Sequence, residues 1–193
     1  MARFVLVHGA FGGAWCWARV APLLEAGGHI VKTFDLPGNG EDQTPVEEVT
    51  LQSCAERVCD VLESDDEEAV LVGISMGGVI ATQAAALAPG SVDSIVFVAA
   101  FMPANGQSLL DLADYPEGAG NQLKENMVIG GEPPVATLSP EAATAAIYNC
   151  CTAEQVAYAL ERRRPQAVAP FATPVTIDDE AFESIRRSYV MTR

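Results

Sequence analysis

The first half of the chain alternates short apolar runs with segments whose apolar residues recur at helical spacing. Four runs are rich in β-branched residues and predict buried strands, at 3–8, 30–34, 69–74 and 93–100. Three segments between them predict helices, at 15–26, 51–62 and 77–88. Strands that alternate with helices in this way are typical of a parallel sheet with helices on both faces. We therefore predict the α/β fold class.

The pattern changes after Pro103. Ser139 and Thr152 are candidate helix caps, and no strand-like run is evident before residue 175. This stretch is predicted to be a mainly helical insertion, and strand character returns at 187–192. The chain is thus predicted to hold the first part of a core at 1–102, an insertion at 103–175 and a return to the core at 176–193.

Composition and charge exclude several classes of protein. Hydrophobic residues make up 49% of the 193 residues and charged residues 19%, which is too apolar for an intrinsically disordered chain. The formal net charge of −15 would repel phosphate groups, so nucleic acids and anionic membranes are not expected partners. Residues 41–68 hold eleven acidic residues and one base, Arg57, and we interpret this region as solvated surface.

The cysteines and the apolar runs bear on the cellular compartment. The five cysteines are an odd number and include no C-x2-C pair of the zinc-binding type, which favours reduced thiols in a reducing compartment. The first apolar run is too short for a signal peptide. The longest runs fall short of the roughly 20 residues that span a membrane. We therefore expect a cytoplasmic protein.

The turn between the third predicted strand and the next helix carries the most informative motif. Residues 73–77 read Gly-Ile-Ser-Met-Gly, which matches the pattern G-x-S-x-G. The pattern is weak by itself and also fits a structural turn with an incidental serine. Here a strand ends on it, a helix begins from it and Gly78 follows, as a nucleophile elbow requires. Ser75 is therefore the candidate nucleophile.

A second glycine-rich turn, His8-Gly9-Ala10, follows the first predicted strand. Glycine here lets a backbone N–H turn toward the active end of the neighbouring strand, so Ala10 is a candidate donor to an oxyanion. The N–H of Met76, at the start of the following helix, is the other candidate donor. We interpret His8 as a brace for this loop and His29 as a structural residue.

Six sequence blocks together resemble the α/β-hydrolase superfamily: FVLVHGA (4–10), GAWCW (13–17), PLLEAGGH (22–29), DLPG (35–38), VLVGISMGG (70–78) and VAAFMP (98–103). More narrowly, they are similar to the branch that contains plant methyl esterases, hydroxynitrile lyases and bacterial carboxylesterases, over nearly all of the chain. The resemblance implies a Ser-His-Asp mechanism, a helical cap formed by the insertion, and neither a metal nor an organic cofactor. By position it makes Ser75 the nucleophile and assigns the oxyanion hole to the amides of Ala10 and Met76.

The chain departs from the family's pattern in its histidines. The family places the acid after the strand that follows the cap and the histidine after the last strand, but only His8 and His29 occur here. Three explanations are open: a fragment that lacks roughly 40 to 70 residues with the acid and base, a hydrolase-like binding protein without catalysis, or a site in which His8 and Asp35 act as base. We favour the fragment, because a chain ending within a strand would leave a sheet edge unprotected. The position of His8 before the oxyanion loop argues against the third explanation, because its ring is not expected to reach the proton of Ser75.

The residue after the first histidine separates two activities of the family. The lyases carry a threonine there, whereas this chain has Gly9, which favours ester hydrolysis over cyanohydrin cleavage. We predict a serine carboxylesterase that acts on a small, largely apolar ester through an acyl-enzyme. A non-catalytic small-molecule receptor and a hydroxynitrile lyase-like enzyme are the alternatives, and the oligomeric state stays open, with a homodimer as one option. The pocket walls are predicted to be apolar, formed by Phe11, Phe101, Met102, Leu109, Leu110 and Tyr148.

Overall fold

A computed structural model of the protein describes residues 1–118, 120–177 and 179–192. Ala119, Asp178 and Arg193, which fall within the predicted segments 103–175 and 176–193, lie outside the described residues. The first half of the chain contains β1 (Arg3–Val7), a 3-10 helix (Ala14–Trp17), α1 (Ala21–Ala26), β2 (Ile30–Thr33), a 3-10 helix (Val46–Glu48), α2 (Leu51–Leu62), β3 (Ala69–Ile74), α3 (Gly77–Leu87), a 3-10 helix (Pro89–Ser91) and β4 (Val92–Val98).

The second half contains mostly short elements. They are α4 (Leu109–Ala113), a 3-10 helix (Pro116–Gly118), α5 (Gln122–Asn126), β5 (Val128–Gly130), β6 (Val135–Thr137), α6 (Pro140–Ala146), α7 (Ala153–Arg162), β7 (Gln166–Ala167), α8 (Ala169–Ala172), α9 (Asp179–Ser184) and β8 (Arg186–Val190). None of the helices within the described ranges is long and apolar enough to cross a membrane.

Among the described residues, five strands form one parallel sheet in the order β2-β1-β3-β4-β8. Its central strands β1 and β3 are almost entirely buried, because helices cover both faces of the sheet. On one face Leu6 and Val72 pack with Trp17, and on the other Val5 and Leu71 join the larger core that contains α2 and α3. The predicted α/β class with a mostly parallel sheet is confirmed.

The two helices behind the sheet differ in how they are buried. On α2 the predicted apolar stripe faces the core, with Leu51, Ala55, Val58 and Leu62 buried and Cys59 half-buried. Its N-terminus is capped as predicted, because the Thr50 hydroxyl accepts a hydrogen bond from the backbone N–H of the third helical residue at 2.9 Å. On α3, by contrast, every residue from Gly77 to Ala85 is buried.

The predicted helix at 15–26 is wrong as a single element. The structure has a 3-10 helix over Ala14–Trp17, a turn, and then α1 over Ala21–Ala26. Pro22 explains the division, because its ring would clash with the carbonyl four residues earlier in a continuous helix. At the second position of α1 its missing N–H costs nothing.

The expectation that the insertion contains no strand is also wrong. Residues 103–175 carry helices, as predicted, but β5, β6 and β7 form an antiparallel sheet among them. The returning strand β8 begins at Arg186 and ends at Val190, slightly earlier than the predicted 187–192. The insertion therefore contains both helices and strands and is not purely helical. We refer to residues 103–175 as the cap.

The register of β1 and β3 brings two loops together at one edge of the sheet. Val7, the last residue of β1, pairs with Gly73 near the end of β3. Because the strands are parallel, the residues that follow them, His8-Gly9-Ala10 and Ser75-Met76, leave the sheet at the same edge. The two motifs predicted to share a site are neighbours.

Candidate active site

Ser75 lies in the turn between β3 and α3, where its backbone has φ of 53°. L-residues rarely adopt this left-handed conformation, so the surrounding structure must hold it. The carbonyl oxygen of Ser75 accepts hydrogen bonds from the N–H of Gly78 at 3.1 Å and of Phe101 at 3.2 Å. Phe101 follows β4, so the end of a neighbouring strand helps to fix the turn. The Ser75 residue is half-buried.

Three glycines allow strand, turn and helix to approach each other closely. A Cβ on Gly73 would lie 2.5 Å from the carbonyl oxygen of Gly77. A Cβ on Gly77 would lie 2.6 Å from the carbonyl oxygen of Val7, in the neighbouring strand. A Cβ on Gly78 would collide with the carbonyl oxygen of Phe101. The three glycine positions of the G-x-S-x-G-G sequence therefore leave no space for a side chain.

His8 braces the loop that follows β1, as predicted. It is fully buried, and its Nε2 atom accepts a hydrogen bond from the backbone N–H of Leu36 at 3.1 Å. Nδ1 therefore carries the proton and donates to the carbonyl oxygen of Gly9 at 2.8 Å. Burial lowers the pKa of His8, although the Gly9 bond and the charge of Asp35 act in the opposite direction. The neutral ring has no free lone pair with which to take a proton from Ser75.

Asp35 and His29 also have structural partners. The two carboxylate oxygens of Asp35 accept hydrogen bonds from the backbone N–H groups of Ala14 at 2.6 Å and Glu41 at 3.0 Å. His29 accepts a hydrogen bond from the N–H of Ala2 on Nδ1 at 3.3 Å. With both ring nitrogens of His8 occupied as well, the geometry does not support the explanation in which His8 and Asp35 act as base.

Gly9 brings the loop after β1 close to Ser75. A Cβ on Gly9 would lie 3.1 Å from the carbonyl oxygen of Ile74 and 3.7 Å from Ser75 Oγ. Ala10 follows Gly9 and Met76 follows Ser75, so their two N–H groups adjoin this contact. Among the described residues, neither N–H donates a hydrogen bond to another protein group. Two donors are thus available beside the serine hydroxyl.

A serine with positive φ between a strand and a helix, flanked by closely packed glycines, is typical of the alpha/beta-hydrolase turn G-x-S-x-G. The model of the alpha/beta hydrolase family matches residues 4–192. The chain belongs to the alpha/beta hydrolase family. The family resemblance recognised in the sequence blocks is confirmed.

Individual relatives of this alpha/beta hydrolase belong to the predicted branch. Methylesterase 7 of Arabidopsis thaliana is 32% identical over 209 residues, which span 98% of this chain and 76% of the relative. Alpha-hydroxynitrile lyase of the same plant is 31% identical over 200 residues, 98% of this chain and 78% of the relative. The crystal structure of polyneuridine aldehyde esterase superposes with a TM-score of 0.85 at 28% identity, over 98% of this chain and 79% of that chain.

The hydrolase contains two buried polar side chains that sequence reasoning missed. Gln166 of β7 and Asn39, in the loop after β2, are each 1% exposed. Gln166 Oε1 accepts hydrogen bonds from the N–H of Phe11 at 3.3 Å and from Asn39 Nδ2 at 3.1 Å. The cap is thereby bonded to the loop beside Ser75. No local pattern could have indicated this, because the burial of both amides arises from contacts between distant segments.

The six residues predicted to line the pocket of the hydrolase differ in exposure. Phe11 and Leu109 are buried in the main core, and Phe101, Leu110 and Tyr148 are half-buried against it. Met102 is 50% exposed. Burial raises the pKa of Tyr148 to about 12. Phe11 also lines a cavity of about 200 Å³ with residues of the cap.

Metal binding would need a cluster of ligating side chains. In the part of the chain that the structure describes, no three His, Cys, Asp or Glu side chains form a group that could hold a metal ion. The five cysteines are free. Only Cys54 is buried and Cys59 is half-buried, while Cys16, Cys150 and Cys151 are exposed.

Proposed function

We propose that the protein is a serine carboxylesterase that hydrolyses small, largely apolar esters, and that methyl esters are the first class to test. Ser75 Oγ would attack the ester carbonyl carbon, and the alcohol would leave with a proton. Water would then cleave the acyl-enzyme and release the carboxylic acid. The methylesterase and esterase relatives support ester hydrolysis as the reaction class.

The observation that carries the proposal is the contact between Gly9 and Ser75 at the strained turn. The N–H groups of Ala10 and Met76, which adjoin this contact in sequence, donate to no protein group among the described residues, and we infer that they would bind the oxyanion of a tetrahedral intermediate. Removing one such donor typically costs about 10² to 10³ in kcat. These two amides are therefore proposed as the oxyanion hole.

A serine hydroxyl needs a base to accept its proton. His8 and His29 have structural partners, so we expect the base and its acid partner to lie outside residues 1–193. The site is proposed to take up apolar groups because Phe101, just before the cap, and Leu110 and Tyr148, within it, are apolar residues that are only half-buried. Ten of the eleven acidic residues in 41–68 are exposed and one is half-buried, so this charge is surface charge.

Gly9 also favours ester hydrolysis over a lyase reaction. A side chain at this position would begin 3.7 Å from Ser75 Oγ, so a hydroxyl-bearing residue there could contact the substrate. Glycine offers no such group. We therefore expect cyanohydrin cleavage to be slow compared with ester hydrolysis.

The test uses the full-length protein with a panel of small methyl esters and a cyanohydrin. Wild type should hydrolyse at least one ester and form a covalent adduct with a fluorophosphonate at Ser75, detected by peptide mass. Ser75→Ala should remove both, with a loss in kcat on the order of 10⁶. Ser91→Ala is the matched control, because Ser91 lies beyond the far end of α3.

Two results would overturn the proposal. A folded wild-type protein that neither hydrolyses esters nor reacts with the phosphonate would favour the receptor alternative. Cyanohydrin cleavage at a rate comparable to ester hydrolysis would favour the lyase.

A further inference from the structure

Both the oxygen and the nitrogen of the Gln166 side-chain amide form hydrogen bonds in a buried contact between the cap and the core. Its Oε1 accepts from the N–H of Phe11 and from Asn39 Nδ2, and its Nε2 donates to the carbonyl oxygen of Ala167 at 3.3 Å. A buried amide that loses its partners is costly, so these bonds fix the side chain. Gln166 is also the only cap side chain that hydrogen-bonds residues 8–13 in the part of the chain that the structure describes.

The residue that Gln166 holds is itself in an unfavourable conformation. Phe11 has φ of 61°, a value that L-residues with bulky side chains rarely adopt. Such a conformation persists only where neighbouring contacts determine it. Its side chain is buried, and its N–H is bonded to Gln166. The cap therefore contributes directly to the shape of the loop beside the nucleophile.

The shape of this loop determines where the Ala10 N–H points. The carbonyl of Gly9 and the N–H of Ala10 belong to one trans peptide and point in opposite directions. The Gly9 carbonyl oxygen accepts bonds from His8 Nδ1 at 2.8 Å and from the N–H of Gly12 at 3.3 Å. Gly12 is the residue after Phe11, so a change in the backbone of Phe11 moves one of the two donors that orient this peptide.

We propose that Gln166 is a positioning residue for the oxyanion donor of Ala10. The inference rests on the proposed function, since it concerns the same site. Gln166 is only 1% exposed, and its amide is hydrogen-bonded to Phe11, Asn39 and Ala167. It acts through the Phe11 N–H, so its loss should weaken stabilisation of the transition state and leave binding of the substrate ester almost unchanged.

The experiment compares three variants of the full-length protein in steady-state ester hydrolysis. Gln166→Met keeps the size of the side chain and removes the acceptor. Gln166→Glu keeps an oxygen that can accept from Phe11 and Asn39. Gln83→Met is the matched control, because Gln83 is also buried and also ties the core to the segment after the cap, through two bonds to Thr176 of 2.8 and 3.2 Å.

The expected result separates positioning from stability. Gln166→Met should lower kcat about 10- to 100-fold, as misplacement of a reacting group does, with KM within a factor of about two. Gln166→Glu should recover most of the lost kcat. Gln83→Met should melt at a temperature as low as that of Gln166→Met and keep the wild-type kcat. Equal kcat values for Gln166→Met and Gln83→Met, or a folded Gln166→Glu as slow as Gln166→Met, would overturn the proposal.

A second measurement does not depend on catalysis. Backbone hydrogen exchange at Phe11 and Gly12, whose N–H groups are hydrogen-bonded, should be faster in Gln166→Met than in wild type, and unchanged in Gln83→Met. A wild-type protein without esterase activity would refute the proposed function, and exchange would still test the role of Gln166. Unchanged exchange at Phe11 in Gln166→Met would refute that role even in an active esterase.

Discussion

The backbone N–H of Leu36 donates to Nε2 of His8 at 3.1 Å and so determines which nitrogen of the ring is protonated. The other nitrogen can then donate to the carbonyl of Gly9, the residue that approaches Ser75. One buried neutral imidazole thus links the loop after β2 to the loop beside Ser75. This bond pattern exists only while the ring is uncharged.

The stability of the protein should fall in mildly acidic solution because of His8. Burial lowers the pKa of His8 in the folded protein below its usual 6.5, so below that pH the unfolded chain binds more protons than the folded one. The free energy of unfolding should therefore be highest above pH 6.5 and decrease by up to about 1.4 kcal/mol per pH unit below it. Urea unfolding between pH 7.5 and 5.5 measures this. The same slope in His8→Asn would contradict the assignment to His8.

The glycines of the elbow should tolerate no side chain. Gly78→Ala places a Cβ against the carbonyl of Phe101, and we expect a loss of about 3 kcal/mol in the free energy of unfolding. Gly90→Ala is the control, since a Cβ there meets nothing within 4 Å. It should stabilise the protein by about 0.5 kcal/mol by restricting the unfolded chain. Similar stabilities of the two variants in urea unfolding would contradict the packing described for the elbow.

Substitution of Gly9 should lower the reactivity of Ser75 more than the stability of the protein. A Cβ in Gly9→Ala would lie 3.1 Å from Ser75 Cβ, so the turn must shift by a few tenths of an ångström. We expect the rate of phosphonate labelling of Ser75 to fall about tenfold. Gly130→Ala, in the cap and with open space around its Cβ, should label at the wild-type rate. The prediction fails if Gly9→Ala is labelled as fast as Gly130→Ala.

The cysteines should separate into two groups in alkylation. Burial raises the pKa of Cys54 to about 12 and that of Cys59 to about 11, so their thiolates are scarce at pH 8. Cys150 and Cys151 are exposed. Peptide mapping after iodoacetamide treatment of the native protein should find the second pair modified and the first pair intact. In guanidinium all four should react, and modification of native Cys54 would contradict its burial.

The strands of the core and the turn at Ser75 could be predicted because each is determined by residues that are close together in the sequence. A buried parallel strand requires a continuous apolar run, and β3 was delimited correctly as Ala69–Ile74. The turn at Ser75 could be predicted because its close packing requires glycines on both sides of the serine. In both cases the local structure restricts which residue types can occupy neighbouring positions, so the sequence pattern indicates the structure.

Other features depend on distant segments and escaped prediction. Strands β6 and β7 are short, and Ala136 pairs with Gln166 across the whole of α6 and α7. Gln166 and Asn39 are polar residues that only the assembled cap and core bury together. The division of residues 15–26 into two helices could, by contrast, have been predicted from the sequence. Pro22 favours the first turn of a helix and so indicates that a new helix begins there.

The burial of α3 from Gly77 to Ala85 has a consequence for local opening of the structure. Local opening of the buried part of α3 would expose much apolar surface and cost more free energy than opening of β5, which is exposed along its full length. Ser75 is joined directly to the first of these regions and the cap contains the second. Fluctuations of the cap can therefore open this part of the molecule while Ser75 stays in place.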